Sequence, residues 1–269
     1  MFNLNKIYTG DCLDLYKKID NESINLIIAD PPYGIEKDFG NGEKWNLKNH
    51  EEWFKWMKKW LKESKRVLKP NGSLFVYGIH HNIGYIQAYL YDIGLFYGRL
   101  FIWHYENNFS MYRRAPAAAY EPLLWFYKGK DYTYHTIREP YKSTERLRNK
   151  IIKNGKVWTP HPEGKHGGDI WEIPTLAGKR FANEKVDHPT QKPLAICHKI
   201  INHFSNQGDT LLMPFVGSGS ECVSARMNDR KYIGFELNPK YVEMAEKRLN
   251  EITPRLLPQS SHLPIPLSY

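Results

Sequence analysis

The stretch Ile24-Asn25-Leu26-Ile27-Ile28-Ala29-Asp30-Pro31-Pro32-Tyr33-Gly34 decides the fold of this chain. It opens as a short apolar run rich in β-branched residues, the pattern of a buried strand. The run stops at a carboxylate, two prolines and an aromatic ring. Proline has no backbone N–H and cannot continue a central ladder, so the strand ends there. The product is a rigid corner at the carboxyl end of a strand. In an open α/β sheet, that edge is where ligands bind.

The groups at this corner suit a planar ring that bears an amino group. Asp30 and the Pro31 carbonyl can accept two hydrogen bonds from an exocyclic NH2, and Tyr33 can stack on the ring face. An ordinary strand-to-loop turn is the competing explanation, because Asp and Pro are common turn residues. The remaining sequence has to separate the two.

Composition narrows the field. The chain has 269 residues, 41% of them hydrophobic, enough for one large α/β domain or two small ones. No apolar run reaches the roughly 18 residues of a membrane span. The opening Met1-Phe2-Asn3-Leu4-Asn5-Lys6 has no apolar signal region, so a cytoplasmic protein is expected. A formal charge of +9, a pI near 9.2, and 14% aromatic residues with 18 Tyr and 8 Trp fit nucleic-acid binding with base stacking. A Lys- and Tyr-rich source composition would read the same way. Cys12, Cys197 and Cys222 are odd in number and far apart, which argues for a reducing compartment. No C-x-x-C occurs, so no metal site is expected despite 11 His.

Taken in order, the chain predicts strands near 6–10, 24–29, 73–77, 99–105, 121–127, 210–213 and 231–235. Helical spacing runs over 12–19, 50–68, 82–93, a stretch opened by 188–193 and running through 204, 221–227 and 241–252, with Thr190 a candidate cap for the fourth. Trp53, Trp56 and Trp60 form a stripe expected to face the core, and Pro70-Asn71-Gly72 reads as a turn. Residues 34–50 read as a lid after the acceptor corner. From 129 to 187 the regular pattern fades into basic residues interleaved with Tyr and Trp, an unusual length of irregular chain for a compact protein. We expect one domain over 1–252 containing an inserted recognition region at 106–187, and a Pro-rich, disordered tail at 253–269. Arg113, Arg114, Lys142, Arg146, Arg148, Lys179 and Arg180 are the candidate DNA contacts, cations that could neutralise phosphates.

A second constellation lies near the C-terminus. Phe215-Val216-Gly217-Ser218-Gly219-Ser220 follows a predicted strand, and Glu236 ends the next strand seventeen residues past Gly219. Glycines there let the backbone approach a nucleoside cofactor, and the acid can accept from two ribose hydroxyls. No Lys-Ser/Thr follows, so this is not a P-loop. No third glycine occupies the dinucleotide position.

With these motifs in hand, the chain resembles the β-class amino-group DNA methyltransferases that use S-adenosylmethionine. It looks most like the MboII-type adenine-N6 enzymes. The resemblance covers roughly 5–252 and rests on Asp30-Pro31-Pro32-Tyr33, Phe215-x-Gly217-x-Gly219, Gly10-Asp11 and His188-Pro189-Thr190-Gln191-Lys192-Pro193, with Asn154-Gly155-Lys156-x-Trp158 in the recognition region. It implies a seven-stranded, mostly parallel, Rossmann-like sheet, circularly permuted, with helices on both faces. It implies catalytic roles for Asp30, Pro31, Pro32 and Tyr33. It implies cofactor contacts from Asp11, Asp30, His188, Thr190, Lys192, Phe215, Gly217, Ser218, Gly219, Ser220 and Glu236. DNA is the implied partner, together with a restriction endonuclease and a homodimer as further possibilities. Three positions depart from the family pattern: Met213 stands where members carry Asp, and Ser220-Glu221 stands where they carry a Thr pair.

The implied chemistry is methyl transfer to the exocyclic nitrogen of a flipped adenine. No covalent intermediate is needed. A ring-carbon methyltransferase would need a Cys nucleophile, and none is suitably placed. Asp rather than Ser at position 30 favours adenine over the N4 nitrogen of cytosine. A non-catalytic or RNA-directed binding protein on the same fold is the remaining alternative.

Overall fold

The computed structural model describes residues 2–34, 50–107, 114, 116–143, 145–148 and 150–252. The expected lid, the Pro-rich tail and Arg113 lie outside the described residues.

The elements run β1 (Lys6–Thr9), α1 (Cys12–Tyr16), β2 (Ile24–Ala29), α2 (His50–Val67), β3 (Leu68–Tyr77), α3 (Ile83–Asp92), β4 (Phe96–His104) and β5 (Tyr120–Tyr127). Then come β6 (Arg138–Glu139), α4 (Glu145–Arg148), β7 (Ile151–Lys153), β8 (Lys156–Trp158), β9 (Lys165–His166) and β10 (Ile170–Glu172). The chain closes with α5 (Leu194–Phe204), β11 (Thr210–Met213), α6 (Ser220–Met227), β12 (Lys231–Glu236) and α7 (Pro239–Glu251).

The main sheet has eight strands in the order β1-β12-β11-β2-β3-β5-β4-β10. Seven were expected. The eighth, β10, comes from the stretch that looked irregular, and it pairs in parallel with β4 through Ile170–Ile102 and Trp171–Trp103. Three residues carry too little periodicity to be read as a strand, but Trp171 is 1% exposed and packs on Phe101. β5 runs antiparallel to both β3 and β4, and the other pairings are parallel. Pro70-Asn71-Gly72 turns as expected but does so inside β3: Ile24 pairs with Leu68 and Leu26 with Ser73, so the intervening residues loop out of the ladder.

Alternation divides the strands between two cores. Leu26, Ile28, Phe75, Tyr77, Leu211 and Met213 face α5, α6 and α7. Ile27, Ala29, Leu74, Val76, Leu212 and Phe235 face α1, α2 and α3. Helices cover both faces, which is why β2 reads as a continuous apolar run. Trp53 and Trp60 of α2 are buried, as the helical spacing predicted.

The topology positions the site. β2 and β11 are neighbours in the sheet, and Thr210 N donates to Asn25 Oδ1 at 3.1 Å across 185 residues of sequence. From this pair the chain winds outward both ways, β2 through α2 to β3 and β11 through α6 to β12. Strand order reverses there, and a crevice opens beyond the carboxyl ends.

Candidate active site

A cavity of about 290 Å³ occupies that crevice. It brings together most of the predicted site: Asp11, Asp30, Pro31, Pro32, Tyr33, His188, Thr190, Lys192, Phe215, Gly217, Ser218 and Glu236 all line it. Gly219 and Ser220 sit just behind, at the start of α6. Its volume is near the lower end of small-ligand sites.

The acceptor corner is held from outside by its neighbours. Trp53 Nε1 donates to the Pro32 carbonyl at 2.9 Å, and Asn82 Nδ2 donates to the Tyr33 carbonyl at 2.9 Å. The carbonyl of the second proline, Pro32, is therefore captured by α2, a contact with no signature in the sequence. Asp30 is engaged on both oxygens. Tyr33 OH donates to Oδ1 at 2.5 Å, and Lys192 Nζ lies 2.9 Å from Oδ2. Lys192 also lies 3.0 Å from Glu121 Oε2 and is 3% exposed. Burial alone would lower the lysine pKa, but the two carboxylates outweigh it and hold the ammonium charged, above its ordinary value. Burial first, and then the Asp30 charge, push the Tyr33 phenol well up, so it stays a donor. Glu121 was not anticipated. It sits in β5 within an apolar run, where an isolated acid gives no motif to detect.

The glycine turn is built as a cradle. Gly217 has φ +49 and its Cβ position would lie 2.9 Å from His188 Nε2, so a side chain there would strike the histidine. His188 in turn packs on Tyr241, with ring centroids 4.5 Å apart. Gly219 has φ +81, and a Cβ would approach Ala245 Cβ to 2.6 Å. Its absent side chain thus serves the packing of α7 on α6, a reason distinct from ligand approach. Arg248 of α7 donates to Ser218 O at 2.6 Å and to Ser220 Oγ at 3.1 Å, pinning the turn.

Glu236 accepts from Gly217 N at 2.7 Å and Asn238 N at 2.8 Å. Each oxygen keeps a second lone pair for a hydroxyl. Burial pushes this carboxyl up, and the backbone N–H groups oppose the shift. Asp11 caps α1, accepting from Leu13 N at 2.7 Å. Thr190 does not cap α5, because the helix starts four residues later at Leu194. Glu184 Oε1 accepts from Leu194 N at 2.6 Å instead. Thr190 N donates to His188 Nδ1 at 3.3 Å.

The departures from the family pattern fall on either side of the turn. Met213 is 1% exposed and packs in the core. Glu221 lines the cavity. The three thiols are buried, with burial raising each pKa, so none is a ready nucleophile. Among the described residues no cluster of metal-ligating side chains occurs.

The candidate DNA contacts stand apart from the cavity. Arg114, Lys142, Arg148, Lys179 and Arg180 are exposed. Arg146 belongs to α4, and its side chain is outside the described residues. β7 and β8 form a hairpin with Asn154 and Gly155 at its tip, both at positive φ. Ile152 is 72% and Val157 58% exposed, beside Lys153 and Lys156. No described helix is long and apolar enough to cross a membrane.

Together the crevice supplies ribose acceptors at the end of β12, a glycine turn, a charged buried end at Lys192 and an amino-accepting corner. These fit a nucleoside cofactor with a zwitterionic tail lying beside a planar base, the arrangement of an S-adenosylmethionine-dependent methyltransferase. Comparison with known proteins agrees. The DNA methylase family that groups N6 and N4 methyltransferases matches residues 24–247. Type II methyltransferase M1.MboII of Moraxella bovis is 30% identical over 262 residues, 94% of this chain and 99% of that protein. DNA adenine methyltransferase YhdJ of Escherichia coli (strain K12) is 33% identical over 249 residues, 91% of this chain and 82% of the relative. The crystal structure of the M1.HpyAVI–SAM complex superposes with a TM-score of 0.63 at 25% identity, covering 91% of this chain and 98% of that one. The chain belongs to the N6/N4 DNA methylase family and is an S-adenosylmethionine-dependent DNA methyltransferase.

Proposed function

We propose that the methyl acceptor is the N6 nitrogen of adenine, flipped out of DNA. The observation that carries this is the fixed acceptor corner, Asp30 beside the Pro31 carbonyl, opening on the same cavity as the glycine turn. The naming of YhdJ as a DNA adenine methyltransferase supports the choice of base.

Aromatic amino nitrogens are poor nucleophiles because the lone pair is delocalised into the ring. Asp30 and the Pro31 carbonyl accept hydrogen bonds from the two amino N–H groups and favour a pyramidal nitrogen with its lone pair free. Lys192 orients Asp30 and is itself anchored by Glu121, so the carboxylate is aimed before the base arrives. Tyr33 occupies Asp30 Oδ1 in this structure. The incoming amino group takes that oxygen, and the released ring stacks on the base. S-adenosylmethionine supplies an already activated methyl group, so positioning carries most of the acceleration.

The parts of residues 106–187 outside the sheet strands β5 and β10, set within the methyltransferase domain, are assigned to target recognition. The exposed cations and the apolar, lysine-flanked hairpin of β7 and β8 support this. A homodimer, a paired restriction endonuclease and a cytoplasmic location belong to the same proposal. The Type II naming of the M1.MboII relative supports the pairing.

The test is to sequence DNA from a host expressing the chain, with modified-base detection. N6-methyladenine at one short motif is expected. N4-methylcytosine would overturn the base assignment, and unmodified DNA would favour a binding role without catalysis.

A further inference from the structure

Glu221 stands in the first turn of α6, directly after the glycine turn, and lines the cavity. It is 6% exposed, and its Oε1 has no hydrogen-bond partner among the described residues. A buried carboxylate oxygen left unpaired is unfavourable, so such a group either takes a proton or waits for a cation.

The cations around it are committed elsewhere. Lys192 Nζ sits 2.9 Å from Asp30 Oδ2 and 3.0 Å from Glu121 Oε2. Arg248 donates to Ser218 O and Ser220 Oγ. No ion pair joins Glu221 to a described residue. Its remaining titratable surroundings are the thiols of Cys197 on α5 and Cys222 on its own helix, the phenol of Tyr77 on β3, and Asp30. None of these is a cation. Burial, and then the Asp30 charge, push the Glu221 carboxyl up to about 7, while its own backbone N–H, Lys192 and Arg248 act the other way.

The other acids of the cavity are already occupied. Glu236 holds two backbone N–H groups, Asp11 caps α1, Asp30 holds Tyr33 and Lys192, and Glu121 holds Lys192. Met213, at the end of β11, is buried in the core and brings no charge. Among these acids, Glu221 alone has a buried oxygen that neither a hydrogen bond nor an ion pair with a described residue takes.

We propose that Glu221 is the receptor for the α-ammonium group of S-adenosylmethionine, an inference that rests on the cofactor reading of this cavity. The cofactor carries two cations. Its sulfonium must face the Asp30 corner, because the methyl group leaves toward the base. Its nucleoside end is set by Glu236 at the far side of the glycine turn. The ammonium then falls to the carboxylate on α6, where the cavity has a buried negative group and no cation to spare for it.

Three ligands separate the possibilities by calorimetry: S-adenosylmethionine, S-adenosylhomocysteine, which lacks the sulfonium charge, and 5′-methylthioadenosine, which lacks the whole amino-acid end. In Glu221→Gln, both amino-acid-bearing ligands are expected to bind at least about tenfold more weakly than to the unchanged protein. Methylthioadenosine is expected to bind equally to both. Glu221→Thr should repeat the pattern, and it serves if the first variant does not fold. Glu221→Asp should recover part of the loss. Unchanged affinities would overturn the proposal. So would a loss confined to S-adenosylmethionine, which would place the sulfonium at Glu221, or an equal loss for all three ligands, which would make the role structural. Failure of the unchanged protein to bind any of the three would overturn the cofactor reading itself.

Discussion

Asp30 enters the cavity with both oxygens engaged, and that decides what its removal should do. Asp30→Ala takes away one acceptor for the amino protons and leaves Lys192 with Glu121 alone. Methyl transfer should fall by about 10²–10³ or more, measured as labelled methyl incorporated into DNA at saturating cofactor. Retained transfer would remove Asp30 from the chemistry. Glu236→Ala should weaken cofactor binding by about 1–3 kcal/mol, and unchanged affinity in calorimetry would exclude its role. The two carboxylates were legible in the sequence because each stands at the end of a strand, Asp30 directly before two prolines and Glu236 on the strand that follows the glycine turn. Glu121, Trp53 and Asn82 were not, because their partners lie tens of residues away and nothing local marks them.

Among the elements, the glycine turn and the two helices it joins behave as one unit. Gly219 was read as room for a ligand, yet its Cβ position is filled by Ala245 of α7. Gly219→Ala should therefore unsettle the α6–α7 packing and destabilise the ligand-free protein by about 1–3 kcal/mol, read from denaturant midpoints. A variant that loses cofactor affinity at unchanged stability would return Gly219 to the ligand. Strands with several consecutive apolar residues were readable because a helix layer covers each face of the sheet. β10 was not, since an edge strand of three residues shows no period, and its place is set by Trp171 reaching Phe101.

For the whole molecule, burial of acids sets a pH dependence that ligand should remove. The Glu221 carboxyl is pushed from an ordinary 4.5 up to about 7 in the folded chain. A raised folded pKa means the folded state holds its proton more tightly, so the stability it gives is complete below about pH 4.5 and is lost as pH rises through 7. Between about pH 4.5 and 7 this carboxyl lowers the melting temperature of the ligand-free protein, and Glu221→Gln should remove that contribution. Parallel curves for the two proteins would contradict it. His198, half-buried beside Ser224 and Asn228, is pushed down to about 4 and acts over nearly the same pH range in the opposite sense, costing stability as pH drops below about 6.5. DNA affinity should drop steeply with salt, since a basic chain that makes several phosphate contacts releases counterions on binding. A flat salt response would remove the recognition role from the exposed cations.

The pairing of β2 with β11 also governs when the enzyme can exist. Asn25 and Thr210 meet across 185 residues of sequence. At roughly 5–20 residues per second of synthesis, the acceptor corner leaves the ribosome about 10–40 s before the strand that completes its crevice. Until then the Leu211 edge of β2 has no neighbour, and its apolar run is an unpaired strand exposed to aggregation. A nascent or truncated chain cannot carry half the activity.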